Sequence, residues 1–182
     1  MILNVRRKNH VVRRRSLQAL LVFSLTMFFV ALQPLSASAA TLGPYIIRQD
    51  GSRKCMEVPL GGAGTVGTQL VTQNCFGNRQ PWQQWYFDNT NTTAGYWVLK
   101  NVRTQMCATV DNRVVAAGAP IIQSSCTPNQ YNQWLPINKV TGDADYYRLQ
   151  NLRSSLCLNT FNEGGAVTQN TCGAAIHWTW LA

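Results

Sequence analysis

The chain has 182 residues, 13% of them charged, with six cysteines and a formal net charge of +9. Such a balance would suggest nucleic acid or an acidic membrane as partner. The first 39 residues, however, hold six of the 16 Lys and Arg and none of the seven acids, so residues 40–182 carry 10 basic and 7 acidic side chains, a net of +3. Charge therefore gives no ground for a nucleic-acid partner.

The N-terminal segment is basic at Arg6-Arg7-Lys8 and Arg13-Arg14-Arg15, then apolar from Ala19 to Leu32, and ends in the small residues Ala37-Ser38-Ala39. That order predicts a secretory signal peptide over 1–39, a mature domain over 40–182, and a secreted, extracellular protein. The apolar run falls short of the roughly twenty residues a membrane span needs, so no membrane attachment is expected after cleavage. The Arg14-Arg15-Ser16-Leu17 context leaves the general and twin-arginine routes both open.

All six cysteines lie in the mature part, an even number in an exported chain, which points to disulfides. No Cys-x-x-Cys occurs and no cysteine adjoins a histidine, so neither a metal nor a cofactor is expected. Laid against its own cysteines the chain repeats. Ten residues before Cys55, Cys107 and Cys157 stand Tyr45, Trp97 and Tyr147; eight before stand Ile47, Leu99 and Leu149; six before stand Gln49, Asn101 and Asn151. A second cysteine follows in each unit, at Cys75, Cys126 and Cys172, and the spacing takes Trp85, Trp134 and Trp180 as the closing tryptophans. Six cysteines allow fifteen connectivities. The repeat makes Cys55–Cys75, Cys107–Cys126 and Cys157–Cys172 the simplest.

Short aromatic and β-branched runs, Tyr45-Ile46-Ile47, Tyr96-Trp97-Val98-Leu99 and Tyr146-Tyr147-Arg148-Leu149, read as strands. Turn formers separate them, at Asp50-Gly51, Gly61-Gly62-Ala63-Gly64, Asp111-Asn112, Ala117-Gly118-Ala119-Pro120 and Glu163-Gly164-Gly165. No helical stripe of useful length appears. Each unit has too few apolar residues for a core of its own, so three must share one.

Catalytic patterns are missing from the sequence. His177 is the mature chain's single histidine, and the acids Asp50, Glu57, Asp88, Asp111, Asp143, Asp145 and Glu163 are scattered. Asp143 and Asp145 alternate in a Gly-containing stretch that reads as a solvated turn. There is no nucleophile elbow, P-loop or dinucleotide fingerprint. A non-enzymatic module is the expectation. Asn91-Thr92-Thr93 is a glycosylation sequon, meaningful only in a eukaryotic secretory route.

A strand, a cysteine followed by an apolar residue, a Gly-rich turn, a second cysteine and Gln-x-Trp together resemble the ricin B-type lectin repeat. The first unit shows it most fully in Cys55-Met56-Glu57-Val58, Gly67-Thr68, Cys75 and Gln83-Gln84-Trp85; the others offer Asn132-Gln133-Trp134 and Trp178-Thr179-Trp180. The resemblance spans residues 45–182. It implies an all-β fold, a β-trefoil of three repeats with one intra-repeat disulfide each. It further implies sites in which a carboxylate after the first cysteine accepts from sugar hydroxyls, polar groups before the second cysteine assist, and an aromatic ring stacks on the apolar sugar face.

Transferred position by position, the acceptor is Glu57, Thr109 or Asn159. The polar position falls on Gln73, Gln123 and Gln169, within Val71-Thr72-Gln73, Ile121-Ile122-Gln123 and Val167-Thr168-Gln169. Asn74, Ser124 and Asn170 follow where the aromatic would stand. The position three before the closing tryptophan holds Trp82, Tyr131 and His177, expected to point outward when that tryptophan points inward. The candidate sugar-binding residues are thus Glu57, Gln73, Asn74, Trp82 and Gln83 in the first repeat, and Asn159, Gln169, Asn170 and His177 in the third. Repeat two, with Thr109, is the least equipped. Against this, Trp85, Trp134 and Trp180 read as core, and Gln83 as a residue bonding backbone within its unit. The expectation is a secreted lectin-like module with up to two or three weak sites for glycans or polysaccharide, galactose-type or another sugar. The competing reading is a degenerate trefoil that docks a protein, as a toxin subunit or adaptor.

Overall fold

The computed structural model describes residues 39–182, apart from 78–79, 113, 141–144 and 161–164. The expected signal peptide lies outside the described residues except for Ala39, as do Asp143, Glu163 and Gly164. Among the described residues twelve strands follow one another, four to a repeat. The first repeat holds β1 (Thr41–Gln49), β2 (Cys55–Glu57), β3 (Val71–Gln73) and β4 (Gln84–Asp88). The second holds β5 (Val98–Asn101), β6 (Cys107–Val110), β7 (Ile121–Ser124) and β8 (Trp134–Val140). The third holds β9 (Tyr146–Asn151), β10 (Cys157–Thr160), β11 (Val167–Asn170) and β12 (Trp178–Leu181).

The first and fourth strands of each repeat close a six-stranded barrel. β4 pairs β1 and β5, β9 pairs β8 and β12, and β12 returns to β1. The remaining seam, between β5 and β8, is a bridge in which Trp97 and Trp134 exchange backbone hydrogen bonds of 2.9 and 2.8 Å. The middle strands form the hairpins β2–β3, β6–β7 and β10–β11. Bridges Gln69–Ile122, Pro120–Thr168 and Val71–Ala166 join these hairpins in a triangle over one barrel end. This is the β-trefoil that the repeat resemblance implies.

Burial follows the repeat. Ile47, Leu99 and Leu149 of the barrel, Met56, Ala108 and Leu158 after each first cysteine, and Leu70 just before β3 with Ile121 of β7 and Val167 of β11 share one core. Three tryptophans fill its middle, each fully buried with its indole N–H satisfied. Trp85 donates to the Met56 carbonyl at 3.1 Å, Trp134 to Ala108 at 3.0 Å and Trp178 to Leu158 at 3.1 Å. Burying such rings is affordable because the polar edge finds a partner.

That pattern corrects the third repeat. Its closing core tryptophan is Trp178, not Trp180. Trp180 is half-buried two residues on, stacked on Tyr147 at 4.5 Å and tilted against Phe87 at 5.0 Å. With Tyr45 and Trp97 these rings pack around Phe87 on the barrel strands. Backbone bonds agree with the shift. Val102 donates to Gln84 O, Leu152 to Gln133 O and Asp50 to His177 O, so His177 is the counterpart of Gln84 and Gln133. Ala175 thus stands where Trp82 and Tyr131 stand.

The three disulfides are those the repeat suggested, Cys55–Cys75, Cys107–Cys126 and Cys157–Cys172, with Cα separations of 5.1, 5.0 and 4.9 Å. Side-chain amides carry the joints between repeats. Asn151 donates to Tyr131 O at 2.8 Å and Gln133 O at 3.3 Å, and accepts from the amides of Arg153 and Ser154. Asn101 does the same for Trp82 O, Gln84 O and the amides of Arg103 and Thr104. Replacing buried Asn151 by alanine leaves two carbonyls and two amides without these partners. It is expected to cost on the order of 2–3 kcal/mol in chemical denaturation; a loss within error would show that water replaces the bonds freely.

The caps interlock in a ring. Thr72 Oγ1 donates to Gly165 O at 3.3 Å, Gln123 Nε2 to Thr65 O at 2.9 Å and Gln169 Nε2 to Ala116 O at 3.1 Å, each reaching into another repeat.

Candidate functional site

Strand pairing fixes which hairpin residues are equivalent. Cys55 faces Gln73, Cys107 faces Ser124 and Cys157 faces Asn170. Gln73 is therefore the counterpart of Ser124 and Asn170, while Thr72 matches Gln123 and Gln169. The alignment of Gln73 with the other two glutamines is corrected by one residue, which in a strand means the opposite face. Gln73 is exposed. Gln169 is fully buried, donating to Ala116 O and accepting from Ser154 Oγ at 2.6 Å, so its amide is committed to the scaffold.

In the first repeat the expected residues converge. Glu57 is buried at the end of β2, and Gln83 is fully buried in the 3-10 turn Pro81–Gln83 that leads into β4. The Gln83 amide donates to Glu57 Oε2 at 2.6 Å and to Asn74 O at 2.8 Å, and its carbonyl oxygen accepts from the Phe76 amide at 3.0 Å. One glutamine thus ties the carboxylate to the loop after β3. Asn74 contributes its carbonyl, with its side chain in an exposed position. Val71 lies opposite Glu57, and Gln73 lies two residues further on the same face.

Beside this polar pair stand two rings. Phe76, 46% exposed, meets Trp82 edge to face at 6.4 Å. Trp82 is not a free platform; it is half-buried and packs on the core, as does Tyr131. Val58 donates to Trp82 O at 3.1 Å, and Gly62, in the left-handed region at φ +79°, comes so close that a Cβ there would lie 3.0 Å from Trp82 Cβ and 2.5 Å from Arg103 Cγ. Phe76 escaped the sequence reading. Its signal was an aromatic directly after the second cysteine, where the other repeats have Thr127 and Gly173.

The other two repeats do not assemble this set. In repeat two Thr109 Oγ1 turns back to Cys107 O at 3.2 Å, and Asn132 is spent on Asn129, Ser125 and Thr127 of its own loop. In repeat three Asn159 Oδ1 accepts from the Ile176 amide at 3.3 Å, and Ile176 occupies the place of Gln83. Thr168 Oγ1, opposite Asn159, is buried without a hydrogen bond. Asn170 Oδ1 accepts from Thr171 N at 2.8 Å. His177 lies apart from these, next to the Arg148 and Asp50 charges, and burial with Arg148 holds its imidazole below the usual value. The structure therefore brings together Glu57, Gln83 and Trp82, with Gln73 and Asn74 at the rim, and does not bring His177 to a third-repeat site.

Burial raises the Glu57 carboxyl above the ordinary carboxylate range, and the Gln83 hydrogen bond only partly offsets it. An acid with a raised native pKa contributes its stability below the unfolded value and loses it as pH rises through the native one. Glu57→Gln is thus expected to flatten the decline in stability as pH rises from the unfolded value through the raised native one. Thermal unfolding across pH 4–8, as an approximate range for a raised carboxyl, tests this; parallel profiles for variant and parent would refute it.

Six barrel strands capped by a triangle of hairpins define the β-trefoil class. The comparisons place the chain within it. The model of the "Ricin-type beta-trefoil lectin domain-like" family matches residues 81–177, more than half of the chain, and the chain belongs to that family. A search of curated protein sequences finds no significant match. Among solved structures, the designed 3-fold symmetric protein ThreeFoil aligns with a TM-score of 0.66 at 24% identity, over 76% of this chain and 97% of its own. An exo-β-1,3-galactanase from Clostridium thermocellum aligns at 0.64 and 21% identity over 82% of this chain, which spans only 31% of that enzyme. SeviL, solved bound to asialo-GM1 saccharide, aligns at 0.56 and 16% identity over 79% of this chain and 98% of its own. At these identities the likeness is one of fold. Family and fold together support a carbohydrate-binding module of the lectin type.

Proposed function

We propose that the protein is a secreted, non-catalytic carbohydrate-binding module whose principal site lies in the first repeat. One observation carries the reading: a buried carboxylate and amide, Glu57 and Gln83, held 2.6 Å apart beside the Phe76–Trp82 corner. Glu57 retains acceptor capacity for sugar hydroxyls after taking the Gln83 bond, and Phe76 offers an apolar face to ring C–H groups. Export fits the basic, apolar and small-residue order of the first 39 residues. Asn159 and Asn170 of the third repeat would at best add a weaker contact, because Ile176 replaces the amide there.

The test is a panel of glycans and polysaccharides against the mature protein, followed by titration calorimetry on any ligand found. Glu57→Ala is expected to weaken binding at least about tenfold, with Thr109→Ala leaving it unchanged. Silence across the panel would discard the lectin reading. The protein-docking alternative rests on the loss of the full polar set in repeats two and three; co-purification of a single partner through Phe76 and Trp82 would favour it.

A further inference from the structure

Resting on the first-repeat site above, the chemistry of that site points to a particular kind of sugar. We infer that it selects glycans bearing a free, protonated amine, such as glucosamine units, over their N-acetylated counterparts.

Glu57 is 6% exposed, and its partner Gln83 is a neutral amide. Among the described residues the one ion pair joins Lys139 to Asp145, and neither Lys, Arg nor His is paired with Glu57. A carboxylate removed from water without a cation is costly, and a ligand that brings the cation recovers that cost. The second element is the ring corner. Phe76 and Trp82 meet at an interplanar angle of 70°, and with Trp82 half-buried against the core the exposed Phe76 is the ring a ligand meets. Trp and Phe faces attract an ammonium, most strongly where water is excluded. The third is donor count. Gln83 has committed both N–H groups, to Glu57 and Asn74 O, and its oxygen to Phe76. Beside Glu57 lie the exposed Gln73 and Asn74 amides, which can donate or accept. An ammonium, with three donors and no acceptor, can donate to the carboxylate and to those amide oxygens at once. An N-acetyl group removes the charge and two of those donors, and adds an acceptor and bulk.

The experiment compares glucosamine oligosaccharides with N-acetylglucosamine oligosaccharides of equal length, by calorimetry on the mature protein at low salt and at several pH values from mildly acidic to neutral, because the preference needs the amine protonated and Glu57 ionised. The amine form is expected to bind about tenfold or more tightly, with the preference shrinking as salt rises. Glu57→Gln should bring the ratio close to one, while Phe76→Ala should weaken both ligands. Equal binding, or tighter binding of the acetylated form, overturns the inference and leaves the sugar-binding reading standing. Absence of binding to both, together with silence on neutral glycans, removes both. Should Glu57→Gln fail to fold, the ratio on the parent protein decides.

Discussion

Alanine at Trp178 is expected to destabilise the protein by about 3–5 kcal/mol, against about 1–2 kcal/mol for alanine at Trp180. Trp178 is fully enclosed and its indole donates to Leu158 O at 3.1 Å, as Trp85 and Trp134 do to the matching carbonyls of their repeats. Removing it empties the threefold centre of the core and orphans a carbonyl. Trp180 loses a stack on Tyr147 and a tilted contact with Phe87 at the half-buried edge of the barrel layer. Urea unfolding of the two variants with disulfides intact gives the comparison. The opposite order of effects would return the closing role to Trp180.

The second large effect concerns the first disulfide. Cys55 lies two residues from Glu57, and Cys75 lies between Asn74 and Phe76. The bond therefore clamps the acceptor strand to the loop that holds both the ring and the carbonyl bonded by Gln83. Replacing both cysteines by serine is expected to lower stability by about 3 kcal/mol in the chain-entropy model. Sugar affinity should fall at least about tenfold as well, because the site must then be ordered on binding. The matched change at Cys107 and Cys126 closes a loop of similar length, with a separation of 19 against 20 residues. It should cost comparable stability and leave affinity nearly untouched. Equal losses of affinity in both variants would show a general softening instead of a local clamp.

The frame of the molecule was legible because it is written three times. The strand residues Ile47, Leu99 and Leu149 stand eight before the first cysteine of each unit, the asparagines at 101 and 151 six before it in two of them, and each unit has a second cysteine of its own. Those positions serve a core and joints that every copy needs. The third closing tryptophan was misread because Trp180 stands eight residues after Cys172, as Trp134 does after Cys126. The loop between the second cysteine and the last strand in fact shortens from repeat to repeat, ending with Trp178 only six residues on. A solvent-facing loop can lose residues at little cost, so spacing is a poor guide there. The glutamine shift had a different source. Val71-Thr72-Gln73 and Val167-Thr168-Gln169 look alike, yet they stand at different distances from their cysteines, and strand alternation turns one residue of slip into a change of face.

Site chemistry was partly legible for the same reason in reverse. Glu57, Gln83 and Trp82 follow a motif and were found. Phe76 belongs to no repeat, and its role depends on the Gln83 carbonyl holding its amide, a contact no pattern in the chain announces. His177 looked like a site aromatic only through the misplaced tryptophan.

The seam between β1 and β12 has a topological consequence. Four residues of each strand, Ile46–Gln49 and Trp178–Leu181, are paired, so the first and last repeats meet as closely as any two consecutive ones. The three units form a circle that the polypeptide merely enters at one point. A gene joined across β12 and β1 by a short linker and reopened in the exposed turn around Asn91, between β4 and β5, would keep every strand neighbour it now has. Such circular permutants should adopt the same barrel, and the order in which the ribosome delivers the repeats becomes a free variable of the design.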